Sequence, residues 1–178
     1  CFSLDKVKNR SQEIAKVANS YEFNTVHELC LPVMCLDQLP LGNIISKISK
    51  VINSVQPDTV FLPFKSDVHS DHRVAFEAAF SCTKSFRYNF LNKVMMMEII
   101  SETEFAPSTK ENVFIPNLFI DISAFIEKKI EIMNWYKGEM EAPPFPRSED
   151  NIKALALHRG ACSGCYYAES FMMLKERL

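Results

Sequence analysis

The sequence predicts an α/β domain built on a mostly parallel sheet with helices on both faces. Three observations lead there. Apolar residues recur at helical spacing in several segments, short β-branched runs lie between them, and the two kinds of segment alternate along the chain. A parallel pair of strands needs a crossover long enough to hold a helix, so alternation of this kind is how β-α-β units are written.

Residues 4–20 read as the first helix, with Val7, Ile14, Val17 and Ala18 toward one face and charges elsewhere. Residues 25–36 read as a short strand and loop, interrupted by Pro32. Residues 42–55 form the cleanest amphipathic helix, where Ile44, Ile45, Ile48, Val51, Ile52 and Val55 share a stripe. Pro57 ends it, and residues 59–64 follow at once as an apolar strand. A helix over 72–84 turns Val74, Ala75, Ala78, Ala79 and Cys82 inward. Residues 93–100 and 113–115 are further strands, and 123–137 is a helix burying Ile126, Ile130 and Met133. The stretch 141–150 carries three prolines and is an irregular loop. Helices over 148–158 and 167–177 close the chain. No internal repeat or low-complexity tract interrupts residues 1–178, which read as one domain.

Composition narrows the function classes. With 178 residues, 47% hydrophobic and 24% charged, the chain can bury a real core. A net charge of −2 gives no electrostatic reason to bind nucleic acid or an anionic membrane. No apolar run reaches the roughly 18–20 residues that span a bilayer, and the N-terminal residues show no apolar signal core. Six cysteines (Cys1, Cys30, Cys35, Cys82, Cys162, Cys165) are too few for a disulfide scaffold of this size and read as reduced thiols in a cytoplasmic protein. Cys162-Ser-Gly-Cys165 lacks the second pair that a zinc ribbon needs and reads as structural or incidental.

One constellation carries chemistry. The strand at 59–64 empties into Lys65-Ser-Asp-Val-His69-Ser-Asp71-His72, at the start of the next helix. Ligands of open α/β sheets collect beyond the carboxyl ends of the strands. Two imidazoles and a carboxylate there suggest a metal-assisted hydrolytic site, with Asp71 able to accept from one imidazole and fix its tautomer. The alternative is that Asp71 caps the helix and both histidines are surface residues. His27, in the strand-like stretch, reads as structural. His158 lines a cleft or caps a helix end. Arg10 and Glu13 stand one turn apart and read as a surface pair; for Tyr136 and Glu139, core packing is the plain expectation.

Several segments in order resemble the PIG-L/LmbE-like N-deacetylase family, in its bacterial sugar-deacetylase branch. They are Arg10-Ser-Gln-Glu13 with Ala15 and Ala18; Leu31-Pro32 and Leu36-Asp37; Pro57-Asp58 leading to His69-Ser-Asp71-His72; Glu98 to Glu104; Phe114 to Ser123, with Ile126 to Lys129 and Tyr136 to Glu139; and Pro146-Arg147-Ser148, Arg159-Gly160 and Tyr167 to Phe171. The resemblance implies a Rossmann-like fold and a zinc hydrolase, with ferrous iron as the alternative metal, that removes an acetyl group from a small amino sugar of the N-acetylglucosamine type. It implies His72 as a metal ligand, His69 as the residue that assists the tetrahedral intermediate, and Asp71 as its orienting partner. Arg10, Tyr136, Arg147 and Arg159 become the substrate-binding candidates.

The family's remaining metal ligands and its general base lie in a His-Pro-Asp-Asp-Glu motif, which does not occur in this sequence. The expectation is therefore a chain without the N-terminal strand-helix-strand that carries it, inactive and a poor zinc binder alone, with exposed strand edges that a homo-oligomer or the absent segment would cover. At residues 158–161 the chain has His-Arg-Gly-Ala where many relatives have His-x-Ser-Gln. Two other classes stay open. One is a catalytically dead relative that binds a sugar or scaffolds glycan assembly. The other is a nucleotide-binding domain, against which stand the absent glycine-rich loop and a total of four glycines.

Overall fold

The structure is a computed structural model that describes residues 4–178, with side chains from residue 6 onward. The reduced-thiol reading of Cys1 lies outside the described residues. In chain order the elements are α1 (Leu4–Ser20), α2 (Leu41–Val55), β1 (Thr59–Leu62), α3 (Ser70–Phe80), β2 (Lys93–Met97), β3 (Leu118–Asp121), α4 (Ile126–Met133), α5 (Glu149–Ser163) and β4 (Ala168–Glu176). Short 3-10 turns lie at Leu36–Gln38 and Ser81–Thr83. The chain divides into two compact units. Of the described residues, the first holds 4–28 and 121–168, the second 29–120 and 169–178.

The second unit contains the sheet, in the order β1-β2-β4-β3. β1 and β2 pair in parallel, with Val60 opposite Val94 and Leu62 opposite Met96. β4 joins β2 antiparallel, with a register shift between Val94 and Met95. The α/β class holds, and β1 with β2 is its parallel part. Ile52, Leu62, Cys82, Tyr88, Leu91 and Val94 form the buried cluster; Ile45, Ile48 and Ile52 of the predicted α2 stripe reach it, as do Ala79 and Cys82 of residues 72–84, whereas Val55 is half exposed. Cys82 is fully buried, but in the 3-10 turn after α3 rather than on the helix face expected for it, because α3 ends at Phe80.

Three element expectations fail for identifiable reasons. Residues 25–36 form no strand. Cys30 and Met34 adopt left-handed backbone (φ 49° and 58°), which breaks extension around Pro32, and His27 is an exposed loop residue rather than a packed one. The strand expected at 113–115 begins only at Leu118, because Pro116 lacks an amide donor in between. Phe114 packs edge-on against buried Phe64 instead. Residues 167–177 are no helix but the nine-residue strand β4. Ala-Glu-Ser-Phe-Met-Met-Leu-Lys-Glu favours a helix locally, yet a place between β2 and β3 satisfies both backbone edges and buries Ala168, Ser170 and Phe171.

In the first unit Ile122, Ile126 and Ala156 form the buried cluster, with Tyr167 against it. α5 starts on the buried hydroxyl of Ser148, which accepts the Asn151 N–H at 3.2 Å, and ends on Gly164 at φ 82°. It runs five residues past the predicted end, so His158 lies within the helix, exposed, and caps no helix end. Lys153 joins α4 to α5 through Glu127 at 3.0 Å and Glu149 at 2.9 Å, and these carboxylates push its titration upward.

Candidate active site

The His-x-Asp-His segment sits where β1 hands over to α3. Pro63 follows β1, the chain turns through Lys65 and Ser66, and α3 opens at Ser70. His69 is the N-cap of that helix: its Nδ1 accepts the Asp71 N–H at 3.1 Å. A ring nitrogen that accepts carries no proton, so in the neutral ring the proton lies on Nε2. His69 therefore presents a donor at its far end.

His72 is held the opposite way. Its Nδ1 lies 2.9 Å from Oδ2 of Asp67, and a carboxylate only accepts, so Nδ1 carries the proton and, in the neutral ring, Nε2 keeps its lone pair. Metal-binding histidines are oriented in this way. Asp67 is fully buried and its other oxygen, Oδ1, accepts from Thr103 Oγ1 at 2.7 Å. The two imidazoles stack with centroids 4.9 Å apart and planes 22° from parallel. The hydrogen bond to Asp67 holds the His72 titration above the ordinary imidazole range; burial opposes this, and the charges of Asp67, Glu102 and Asp71 add to it.

Asp71 does neither thing the sequence suggested for it. Its oxygens accept the backbone N–H groups of Met34 at 2.6 Å and Leu36 at 3.1 Å, pinning the loop that precedes α2. Met34 needs such a tie, being a non-glycine residue at φ 58°. The helix cap is His69, and the carboxylate that orients an imidazole is Asp67. Asp67 lies outside the compact His-x-Asp-His, so the motif does not single it out. The available signal was an acid five residues before His72, immediately past the strand.

In the first unit the structure gathers Arg10, Tyr136 and Arg147 around Glu139. Arg10 Nη2 donates to Glu139 Oε1 at 2.5 Å and its Nη1 lies 3.2 Å from Glu13, the expected one-turn pair. Arg147 meets Glu139 twice, through Nη2 to Oε2 at 3.1 Å and Nε to the backbone oxygen at 2.7 Å. The Arg10 guanidinium lies over the Tyr136 ring at 5.1 Å. Burial pushes the Tyr136 phenol upward, with Arg10 pulling the other way. Glu139 is thus an ion-pair hub rather than a packing residue. Arg159 lies half-buried on α5. A depression of about 560 Å³ in this unit, walled by Asn134, Glu141, Glu149 and Asp150, contains none of the candidate residues.

Does the site fit a metal? Among the described residues no group of three or more His, Cys, Asp or Glu side chains is disposed to hold one. His72 has the orientation of a ligand. The described residues do not make a complete metal site.

The family described as GlcNAc-PI de-N-acetylase (PIG-L) matches residues 3–83, a little under half of the chain and inclusive of the His69–His72 segment. Three solved structures share the fold. A conserved protein from Thermus thermophilus superposes with TM-score 0.70 at 21% identity, covering 96% of this chain and 75% of its own. The N,N'-diacetylchitobiose deacetylase of Pyrococcus horikoshii gives 0.70 at 17%, over 94% and 64%. GalB, the 4-carboxy-2-hydroxymuconate hydratase of Pseudomonas putida, gives 0.67 at 17%, over 99% and 76%. A hydratase beside a deacetylase means that this fold hosts more than one reaction, so the reaction must be argued from the site. Residues 3–83 are thus similar to the PIG-L family, and the fold is one that these solved structures share.

Proposed function

We propose that this chain belongs to a metal-dependent hydrolase of the cytoplasm that removes an N-acetyl group from an amino sugar or glycan precursor of the N-acetylglucosamine type. The observation that carries the reading is the pair of stacked histidines held in opposite tautomers, one offering an N–H and the other a lone pair. Support comes from the de-N-acetylase family match across that segment. His72 would be the chain's contribution to a zinc or ferrous ion, whose bound form supplies Lewis acidity and an acidified water.

The chain's own residues act through hydrogen bonds. His69, neutral and fixed by the helix it caps, directs Nε2–H at the amide oxygen as negative charge gathers there. A preorganised donor in such a place is worth roughly 10²–10³ in turnover. Arg10, Tyr136, Arg147 and Arg159 are the proposed sugar-side residues, the first three as one preassembled cluster on Glu139. A second reading, a catalytically dead relative that binds or scaffolds a sugar, is favoured by the lack of any group of three metal-ligating side chains among the described residues.

Acetate release from N-acetylglucosamine derivatives separates the two. The polypeptide carrying these residues together with a full ligand set is expected to release acetate, to lose it with His72→Ala, and to lose about two to three orders of magnitude with His69→Ala. The 178 residues alone are expected to be inactive. Sugar binding without acetate release by that polypeptide would establish the scaffold instead.

A further inference from the structure

We infer that Thr103 is a positioning residue for His72, acting through Asp67: its hydroxyl fixes the rotation of the Asp67 side chain and so which of its two terminal atoms faces the imidazole Nδ1. The inference rests on His72 being a working imidazole.

The geometry sets the direction of each proton. Thr103 lies in the loop after β2, and its Oγ1 accepts the Ile99 N–H at 2.9 Å. A hydroxyl has one proton to give, and here it points at Asp67 Oδ1, 2.7 Å away. Oδ1 is thereby an acceptor, and Oδ2 faces His72 Nδ1 at 2.9 Å. Because Asp67 is wholly buried, neither oxygen can exchange its partner for water. The backbone around it is fixed as well. Arg73 Nη1 donates to the carbonyls of Asp67 at 2.8 Å and Val68 at 2.6 Å, and the Val68 N–H donates to Glu102 O at 3.3 Å.

The loop that delivers the hydroxyl is built against local preference. Ser101 sits at φ 74°, a region where residues with side chains are uncommon. The turn closes through the N–H groups of Glu102 and Thr103 on Ile99 O, at 3.1 and 2.9 Å. The Ser101 N–H also donates to Glu104 Oε1 at 2.6 Å. A loop serving only to fill space would need no fixed donor direction. Here the direction is set at both ends, from the Ile99 amide through the hydroxyl to the carboxyl and the ring.

Asp67→Asn converts that direction into a readable signal. Thr103 still donates, so the amide oxygen must stay on its side and the NH₂ takes the place of Oδ2. His72 Nδ1 must then accept, and the ring inverts to the Nε2–H tautomer. Nitrogen-15 spectra of the labelled imidazoles, recorded where the ring is neutral, are expected to show Nδ1–H in the parent and Nε2–H in Asp67→Asn. They should show loss of that single-tautomer signature in Asp67→Asn combined with Thr103→Val, where the amide is free to turn. Thr103→Ser in the same background should restore the inversion. Retention of Nδ1–H in Asp67→Asn would overturn the inference, as would an inversion indifferent to Thr103→Val. This readout requires no turnover, so its failure would leave the acetate assay standing, and the reverse holds too.

Discussion

His69 and His72 stand one helical turn apart and are made different by what occupies Nδ1. A backbone amide at His69 leaves an N–H outward; a buried carboxylate at His72 leaves a lone pair. Two predictions belong here. Because His69 is also the N-cap of α3, His69→Ala should lose about 1 kcal/mol of stability along with its catalytic donor, whereas His69→Asn retains a capping side chain and should lose the donor alone. Thermal melts beside the acetate assay would separate the two effects. The second concerns pH. His72 titrates higher in the folded chain than an ordinary imidazole does, with the Asp67 hydrogen bond as the leading cause. Its contribution to metal-free stability is therefore fully present below the unfolded imidazole range and is lost as pH rises through the higher folded one. Melts between about pH 5.5 and 8.5 should show His72→Gln closing on the parent as pH rises. A gap that widens with pH would contradict the assignment.

Among the elements, α5 is the one whose end is most tightly specified. Gly160 lies within the helix, and a Cβ there would meet Tyr166 O at 2.5 Å and Cys165 O at 2.7 Å. Both are backbone atoms, which cannot swing aside, and the Gly164 and Cys165 N–H groups already donate to Gly160 O at 2.8 and 3.1 Å. Gly160→Ala should cost about 1–3 kcal/mol by overpacking even though alanine is the better helix former. Chemical denaturation would show it as a lowered midpoint, and an unchanged midpoint would mean the 160–166 turn yields freely. Strand β4 teaches the same lesson in reverse, for its residues prefer a helix and the sheet overrules them.

At the scale of the molecule each unit carries its own apolar cluster, and the two polar clusters are likewise divided, the histidines in one unit and the Glu139 hub in the other. No described helix is long and apolar enough to cross a membrane. The uncharged strand β1 lies at one margin of the sheet, where Phe61 is 46% exposed while touching Phe171 at 5.3 Å between centroids. An uncharged edge of this kind invites pairing, so the purified 178 residues are expected to self-associate. A monodisperse monomer on sizing would count against that. With no group of three metal-ligating side chains among the described residues, the same material is expected to retain no stoichiometric zinc after dialysis. Native mass spectrometry finding one zinc per chain would refute it.

The sequence by itself determined what local pattern can encode. Helical periodicity placed α1 to α5, the β-branched run placed β1, and a strand emptying into His69-Ser-Asp71-His72 located the candidate site. It could not determine β4, whose conformation depends on β2 partners about 80 residues away rather than on its own propensities. Nor could it divide the work among the acids near the histidines. That division depends on which carboxylate is buried and which faces a distant amide, as Asp71 faces Met34 and Leu36 while Asp67 faces Thr103 and His72. Hydrogen-bond partners across such separations exist only once the chain has folded, so the tertiary structure decided that Asp71 ties down the Met34–Leu36 loop and that Asp67, held by Thr103, is the carboxylate left to face His72.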